Sequence, residues 1–417
     1  MFLDRRIARL IAAAAGVTAL ACSSDTVTDP SSPSAARTTL PRELTAAERT
    51  VLSSANAFSF ALWRELNRAQ AGANIFVSPL SASYALGMTL NGAAGPTFDE
   101  MRAALQVAGT PLGDIDASYK SLTQLLSTLD PKVTMQIANS IWYRNTFTFN
   151  KSFLDAGANW FDASINPLNF ADTAASLAAI NGWVNTKTNG KIPSILDQIH
   201  DDDVMFLINA IYFKGGWRLK FDPNLTQNAP FHGVNGDQTV SLMHKVHSQS
   251  YTETSTYQAV DLAYGDSSFT MTVILPKPGS SVEQIAASLD APGWTALTGA
   301  FHPMLLDLSL PKFKLAWEAG LKPNLQSLGM RAAFAPGADF TRMSSAGGQL
   351  YISFVKQKTF VDVNEEGTEA AAVTVVGVTV TSAPQSVTMR VDRPFIFAIR
   401  ERLSGTVLFM GKVVQLP

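Results

Sequence analysis

The chain has 417 residues, of which 46% are hydrophobic, and its formal net charge is −2 at pH 7. A chain of this length and composition can bury a large core. The near-neutral charge, without a clustered basic face, gives no support for nucleic-acid binding. No Pro- or Gly-rich linker, charge run or internal repeat divides the chain beyond residue 50, so we expect a single domain over residues 44–417.

Residues 1–21 are predicted to be a signal peptide. Three arginines precede an apolar run over residues 10–21 that is too short to span a bilayer. The run ends in Ala-Leu-Ala-Cys, which resembles a bacterial lipoprotein cleavage box, except that Ala19 stands where a larger aliphatic residue is usual. Cys22 is the only cysteine. Disulfides within the chain are therefore excluded, and we interpret Cys22 as a lipid acceptor rather than a catalytic thiol.

Residues 22–43, rich in Ser, Thr, Pro and Ala, are predicted to form a flexible tether between this cysteine and the domain. We therefore expect an exported protein that is lipid-anchored at the bacterial outer membrane or cell surface. A secreted, extracellular protein is the alternative. The lipid is the only membrane contact that the sequence predicts.

The first half of the domain has mostly helical patterns. Apolar residues recur every three or four positions over residues 44–69, which predicts a helix. Ser78 followed by Pro79 fits a helix N-cap with proline at the first helical position. Further helices are predicted at residues 103–105, 122–129 and 174–186.

The second half is richer in strand patterns. Strands are predicted at residues 134–143, 205–213, 269–275, 305–310, 350–363 and 395–399. A turn at residues 403–406 joins the strand at residues 395–399 to the last strand of the chain. Helices early and strands late favour an α+β fold with mixed and antiparallel sheets over a repeating βαβ architecture.

The histidines offer little catalytic or metal chemistry. His244 and His247 are three residues apart, so in a strand they point to opposite faces and make a poor metal pair. No nucleophile elbow, His-Glu-x-x-His helix or phosphate-binding glycine loop is present. We therefore expect no catalytic residue, no metal and no cofactor, and we do not expect an enzyme.

Residues 365–374 read Glu-Glu-Gly-Thr-Glu-Ala-Ala-Ala-Val-Thr, and no charged residue follows Glu369 until Arg390. In an extended strand, alternate residues share a face. Every second residue from Thr368 to Val378 is small or apolar, so this face can be buried without a charge. An ordinary core strand is the alternative interpretation. The acidic, glycine-containing start and the following Pro384 favour instead a loop that can become a strand.

This segment resembles the reactive-loop hinge of the serpins, in which Glu-x-Gly-Thr-x-Ala-Ala-Ala precedes the bait for a protease. Other serpin-like motifs occur in the expected order from about residue 50 to the end of the chain. They lie at residues 74–81, 85–88, 209–217, 310–313, 325–330, 392–397 and 408–414.

The resemblance implies a serpin fold, with helices packed on three mixed or antiparallel sheets and an exposed reactive loop over residues 365–390. It also implies a suicide substrate of a serine protease: cleavage gives a covalent acyl-enzyme, and the loop inserts as a central strand. The implied hinge consists of Glu365, Glu366, Gly367, Thr368, Glu369, Ala370, Ala371 and Ala372. A monomer is expected, and its uncharged loop is a hazard for loop–sheet polymerisation.

The spacing usual in the family places the bait bond between Thr381 and Ser382, and counting back from Pro394 moves it by up to about two residues. The residues around this bond are small or β-branched. A trypsin-like or chymotrypsin-like target is therefore disfavoured, and an elastase-like or subtilisin-like protease is expected.

Further positions match family features below and beside the sheet that opens. Ser78, Ser81 and Asn209 match a polar cluster beneath that sheet, and Trp217 with Glu365 matches the region where insertion begins. Gln357 stands where the family commonly has histidine, and its amide can both donate and accept hydrogen bonds.

Residues 116–129, where some serpins carry a basic heparin-binding helix, contain only Lys120 as a base, so we expect no such site. A non-inhibitory serpin that acts as a surface binding or carrier protein is the alternative function. Such members typically have bulky, charged or proline residues in the hinge. The small residues Thr368 and Ala370–Ala372 argue against this alternative.

We expect Cys22→Ala to release the mature protein from the detergent phase, because the substitution removes the only thiol that can be lipidated. Phase partitioning of the two proteins checks this. Unchanged partitioning of the variant would rule lipidation out.

Overall fold

The computed structural model describes residues 36–369 and 386–416. Its helices are α1 (Ala46–Ala69), α2 (Pro79–Leu90), α3 (Gly95–Ala104), α4 (Leu112–Thr128), α5 (Lys151–Phe161), α6 (Thr173–Lys187), α7 (Val282–Ser288), α8 (Ala291–Gly299) and α9 (Lys322–Ser327). None of the helices in this described part of the chain is both long enough and apolar enough to cross a membrane.

The strands fall into two hydrogen-bonded sheets. They are β1 (Ile75–Val77), β2 (Val133–Arg144), β3 (Ser164–Leu168), β4 (Met205–Gly216), β5 (Gln227–Gly233), β6 (Gly236–Glu253), β7 (Tyr257–Ala263), β8 (Phe269–Pro276), β9 (His302–Pro311), β10 (Phe313–Gly320), β11 (Lys356–Asn364), β12 (Gly367–Thr368), β13 (Val387–Arg390), β14 (Phe395–Glu401) and β15 (Val407–Val413). The α+β class with mixed and antiparallel pairing is confirmed.

Local sequence explains where the two best-predicted helices begin. Thr45 accepts a hydrogen bond from the backbone N–H of Glu48, whose side chain accepts one from the N–H of Thr45, and this capping box starts α1. Ser78 caps α2 and Pro79 is its first residue, as predicted. Both caps satisfy backbone donors that the first turn of a helix leaves free.

The smaller sheet has six strands in the order β10-β11-β12-β4-β2-β3. Its central strand β12 has only two residues and is antiparallel to both neighbours. Among the described residues, β11 and β4 are connected in this sheet through β12 alone. The sheet is therefore joined at one end, and elsewhere a cleft lies between β11 and β4.

The larger sheet has nine strands, in the order β1-β15-β14-β8-β7-β6-β9-β13 with β5 paired to β6. The 18-residue strand β6 pairs with β7 near one end and with β9 along much of its length. Because β6 pairs with both β7 and β9, the strands of two of the three expected sheets form one continuous sheet.

Two cores hold the six-stranded sheet from its two faces. Ile211 and Phe213 of β4 belong to the main core, which extends to the nine-stranded sheet. Phe206 and Ile208, of opposite parity on the same strand, pack with Ile180 of α6 in a second core. Helix α6 therefore covers the face of the sheet that points away from the main core.

The prediction of a strand from residue 350 is wrong for its first part, since β11 begins only at Lys356. Pairing with β10 starts where Gly320 lies opposite Lys356. Before that point the backbone bonds elsewhere, with the N–H of Ile352 donating to the Ala333 carbonyl at 2.8 Å. An apolar composition alone did not distinguish this connection from a strand.

Helix α5 was not predicted. Its sequence contains Gly157, and glycine lowers helix propensity by about 1 kcal/mol. In the structure a Cβ at this position would lie 2.6 Å from Cδ1 of Ile141. Gly157 therefore lets α5 pack closely on β2, where a Cβ would have to displace the end of the Ile141 side chain. The local sequence does not show this long-range contact.

Candidate functional site

The hinge predicted at residues 365–372 enters the six-stranded sheet. Gly367 pairs with Asn364 on one side and Gly216 on the other, and Thr368 pairs with Val363 and Gly215. Gly367 has φ +150°, and a Cβ there would lie 2.2 Å from the Gly215 carbonyl oxygen. Only glycine fits this position, because a side chain would push β12 away from β4.

Thr368 is anchored on the core side of the sheet. Its side chain is 2% exposed, and its hydroxyl shares a 2.6 Å hydrogen bond with the hydroxyl of Tyr264. Burial raises the pKa of Tyr264, so its hydroxyl stays protonated. The ring of Tyr264 stacks on Trp217, with ring centroids 4.5 Å apart and an interplanar angle of 14°.

Trp217, predicted to lie where insertion begins, bonds to the chain just before the hinge and to the hinge itself. Its indole N–H donates to the carbonyl of Asn364 at 2.8 Å. Its backbone N–H donates to the carbonyl of Glu366, also at 2.8 Å. Trp217 therefore fixes the direction in which residues 364–366 approach the sheet.

Two ion pairs hold the acidic turn outside the sheet. Glu365 pairs with Lys312 at 2.8 Å and accepts a 2.8 Å bond from the hydroxyl of Thr226. Partial burial acts to raise the pKa of Glu365, but the Lys312 ammonium and the hydrogen bonds outweigh it and lower that pKa. Glu366 pairs with Lys220 at 2.6 Å.

The last described hinge residue, Glu369, lies on the opposite side of the sheet from Thr368. Its side chain is 4% exposed and lies 3.8 Å from the Nζ of Lys191. Lys191 lies shortly after the end of α6, so this side chain faces the helix that covers the sheet.

Ser78 and Gln357 form the polar contact beneath the sheet that the sequence predicted. The Gln357 amide accepts from the Ser78 N–H at 2.9 Å and donates to the Ser78 carbonyl at 2.8 Å. The Ser78 hydroxyl donates to the carbonyl of Leu408 at 2.8 Å and accepts from the Ser81 N–H at 3.3 Å. These bonds connect α2, β11 and β15.

Asn209 does not join that contact, contrary to the prediction of one polar cluster. Its amide donates to Asn139 at 2.6 Å, and Asn139 donates to the carbonyl of Phe161 at 2.7 Å. The reason is that Asn209 lies on β4, which pairs with β2 and places Asn139 directly opposite. The two polar groups therefore sit on the two sides of the cleft.

The cleft between β4 and β11 has a volume of about 260 Å³. Asn209 and Gln357 line it from the two strands, and Ser81 lines it from α2. Much of the remaining lining is apolar, including Ile211 and Val355. The cleft therefore has both polar and apolar lining, which ends at Ile211 on β4 and Lys358 on β11. A smaller space, lined in part by Tyr212 and Thr368, lies between this cleft and β12.

Several predicted site residues lie outside the described residues: Ala370, Ala371, Ala372, Thr381, Ser382 and Cys22. The sequence reasoning missed Tyr264 as a hinge contact and Lys312 as the partner of Glu365. Lys312 could have been identified, because it lies in one of the serpin-like motifs. No local sequence pattern identifies Tyr264 as a contact of the hinge. Within residues 36–369 and 386–416, no group of three or more His, Cys, Asp or Glu residues could hold a metal ion.

A family model and several known proteins match most of this chain. The family described as Serpin (serine protease inhibitor) matches residues 53–416. Serpin B11 of Homo sapiens is 32% identical over 389 residues, which are 87% of this chain and 99% of the relative.

Two solved proteins have similar folds. Tengpin, a thermophilic serpin, in its native state is 33% identical with a TM-score of 0.80, covering 92% of this chain and 97% of that one. Its latent state is 32% identical with a TM-score of 0.78, covering 90% of this chain and 100% of that one. Human thyroxine-binding globulin is 26% identical with a TM-score of 0.82, covering 89% of this chain and 100% of that one.

We expect Gln357→Leu to lower the free energy of unfolding by about 2 kcal/mol. The substitution leaves the buried Ser78 N–H without its partner and removes one bond from the Ser78 carbonyl, and an unsatisfied buried group costs about 1–3 kcal/mol. Urea denaturation measures the change. The matched control is Gln124→Leu at an exposed position of α4, which should change stability by less than about 0.5 kcal/mol. Equal effects of the two substitutions would contradict the assigned contact.

Proposed function

The chain belongs to the serpin family, and we propose that it inhibits a serine protease by acting as a suicide substrate. The observation that carries this proposal is β12. A two-residue piece of the hinge is paired on both sides between β11 and β4, and further along the same two strands a cleft lies between them. A loop that starts between these two strands can add further residues to the sheet as a strand.

The register of β12 supports insertion of a longer strand. Thr368 lies opposite Gly215, so ten further residues in the same register would bring Val378 opposite Met205, where β4 begins. An inserted strand from Gly367, opposite Gly216, to Val378 would thus match the twelve residues of β4. Its core-facing residues would continue the alternation from Thr368 and are all small or apolar.

The energy of such an insertion is favourable in direction. About ten new ladder hydrogen bonds at ~1 kcal/mol each would give about 10 kcal/mol. Burial of Val376 and Val378 adds about 1.5–3 kcal/mol each. The sum is comparable to the ~5–15 kcal/mol that separates most folded proteins from their unfolded state. The form with the loop outside the sheet is therefore proposed to be metastable.

Insertion would act on the protease through distance. A serine protease that attacks the bait bond forms an acyl-enzyme ester with the residue before that bond. Thirteen residue steps from Thr368 to Thr381, at ~3.3 Å each, carry this ester about 43 Å. A displacement of ~1 Å in a catalytic site can cost ~100-fold in rate, so this movement is sufficient to stop deacylation.

For the target, we propose an elastase-like or subtilisin-like protease, and for the location an exported, lipid-anchored protein. Support for the target comes from the small and β-branched residues beside the bond between Thr381 and Ser382. Support for the location comes from the signal-like residues 1–21 and from Cys22.

We expect incubation with pancreatic elastase to give an adduct that survives SDS, together with loss of the protease activity. Thr368→Arg should convert the protein into a plain substrate. The reason is that the Thr368 side chain is buried against Tyr264, and a buried guanidinium without a counter-charge opposes insertion.

The control for this substitution is Thr50→Arg, at an exposed position of α1, which should leave adduct formation unchanged. If the unsubstituted protein is cleaved by a panel of elastase-like and subtilisin-like proteases while these keep full activity, inhibition is the wrong function.

A non-inhibitory carrier is the second candidate, favoured by the similarity to thyroxine-binding globulin. The two functions differ in the effect of loop cleavage on thermal stability. An inhibitor should gain about 20 °C in melting temperature. In a large domain each kcal/mol of added stability raises the melting temperature by about 2 °C, and the new hydrogen bonds add about 10 kcal/mol. Calorimetry before and after limited proteolysis measures this. An unchanged melting temperature would favour the carrier.

A further inference from the structure

We propose that Glu369 is the residue that stops the hinge after two docked residues, and that protonation of its carboxyl holds the hinge in the sheet. The docking equilibrium can be measured on the protein alone. Its consequence for protease inhibition rests on the proposed function.

The backbone at Glu369 ends the strand. Its N–H still donates to the carbonyl of Asp362 on β11 at 2.9 Å, but its φ is +57°. A left-handed φ is uncommon for a residue other than glycine, and a continuing strand needs a negative φ. Further docking therefore requires a backbone rotation at this residue, which also moves its side chain.

The side chain of Glu369 lies in a poor site for a carboxylate. It is 4% exposed, and its Oε2 has no hydrogen-bond partner. Lys191 approaches Oε2 only to 3.8 Å, and its own side chain is 35% exposed and partly solvated. A buried carboxylate with an unsatisfied oxygen is costly in its ionised form and less so when protonated.

The groups around this carboxyl do not compensate for its burial. From the segment after α6, the ammonium of Lys191 favours the ionised form. From β4, the Tyr212 hydroxyl donates to the carboxylate and Lys214 adds positive charge, whereas Asp362 of β11 adds negative charge. Burial outweighs the favourable groups and raises the pKa of Glu369 above its usual value.

The sign of the pH dependence is set by the two states of the hinge. When the hinge is released, Glu369 is in water and its pKa is the ordinary 4.5. When the hinge is docked, the pKa is higher, so the docked state binds the proton more tightly. Docking is therefore strongest below the ordinary pKa and weakens as pH rises through the raised pKa. Each unit of pKa difference changes the docking equilibrium tenfold.

Docking changes the length of chain available to a protease. Two residues in the sheet remove about 6.6 Å of extended chain from the loop that must reach Val387, at ~3.3 Å per residue. A loop shortened in this way is less able to adopt the extended shape that a protease binds. Mild acid is thus expected to slow the reaction with the target, and neutral or alkaline pH to release the hinge.

Hydrogen exchange measured by mass spectrometry tests the proposal on the full-length protein without any protease. The peptide containing residues 363–369 is followed at pH 5 and pH 8, and its rates are divided by those of the same free peptide. We expect protection of this peptide to be greater at pH 5 than at pH 8, because only the lower pH lies near the range in which the docked carboxyl binds its proton.

Three variants assign the effect. Glu369→Gln keeps the size of the side chain but cannot ionise, so protection should be high and equal at the two pH values. Glu366→Gln is the matched control, because it removes a hinge carboxylate that is already paired with Lys220, and it should keep the pH dependence. Lys191→Met removes the nearest cation and should shift the loss of protection to higher pH.

The proposal is overturned if the protein and Glu369→Gln have the same pH profile, or if Glu366→Gln abolishes the dependence instead. Because no protease is present, failure of inhibition leaves these exchange results unaffected. Conversely, a flat exchange profile in a protein that still forms the elastase adduct would reject the role of Glu369 and keep the proposed function.

Discussion

Backbone hydrogen bonds from Gly367 and Thr368 to β11 on one side and β4 on the other connect the two halves of the six-stranded sheet. This double pairing places the hinge between β11 and β4 and sets the register in which any further residue of the loop would enter. It depends on a glycine whose missing Cβ lets β12 approach the Gly215 carbonyl. The arrangement of the site is a consequence of this contact.

The hinge is held differently outside the sheet, on its core face and on its outer face. Outside the sheet, Glu365 and Glu366 are paired with lysines at 2.8 and 2.6 Å, where partial solvation makes charge tolerable. On the core face, Thr368 uses a neutral hydroxyl bond to Tyr264. Glu369 has neither a close counter-charge nor a fully bonded carboxylate. The docked segment therefore ends at Glu369, whose ionised carboxylate is poorly suited to burial. Protonation removes this charge and makes burial less costly.

The sequence was informative where a feature is local. The capping residues at Thr45 and Ser78 predicted the starts of α1 and α2, because a cap bonds to the backbone within a few residues. Chain order of the serpin-like motifs predicted the family, which the comparisons confirm. Pattern reasoning failed where two segments compete for the same backbone. Residues 350–355 are mostly apolar like a strand, yet the Ile352 N–H bonds to the Ala333 carbonyl and the Val355 carbonyl accepts from the Leu321 N–H, so they do not pair with β10.

By itself, the sequence determined the family, the α+β class and the uncharged alternation after Thr368, since each is a matter of residue type and spacing along one chain. Only the tertiary structure decided that Asn209 bonds Asn139 rather than Ser78, and that Tyr264, 104 residues away, bonds the Thr368 hydroxyl. Such partners are chosen by how distant strands pair and how closely their side chains pack. No local pattern carries that information, because a hydrogen-bonding side chain accepts any suitable group that the fold brings within reach.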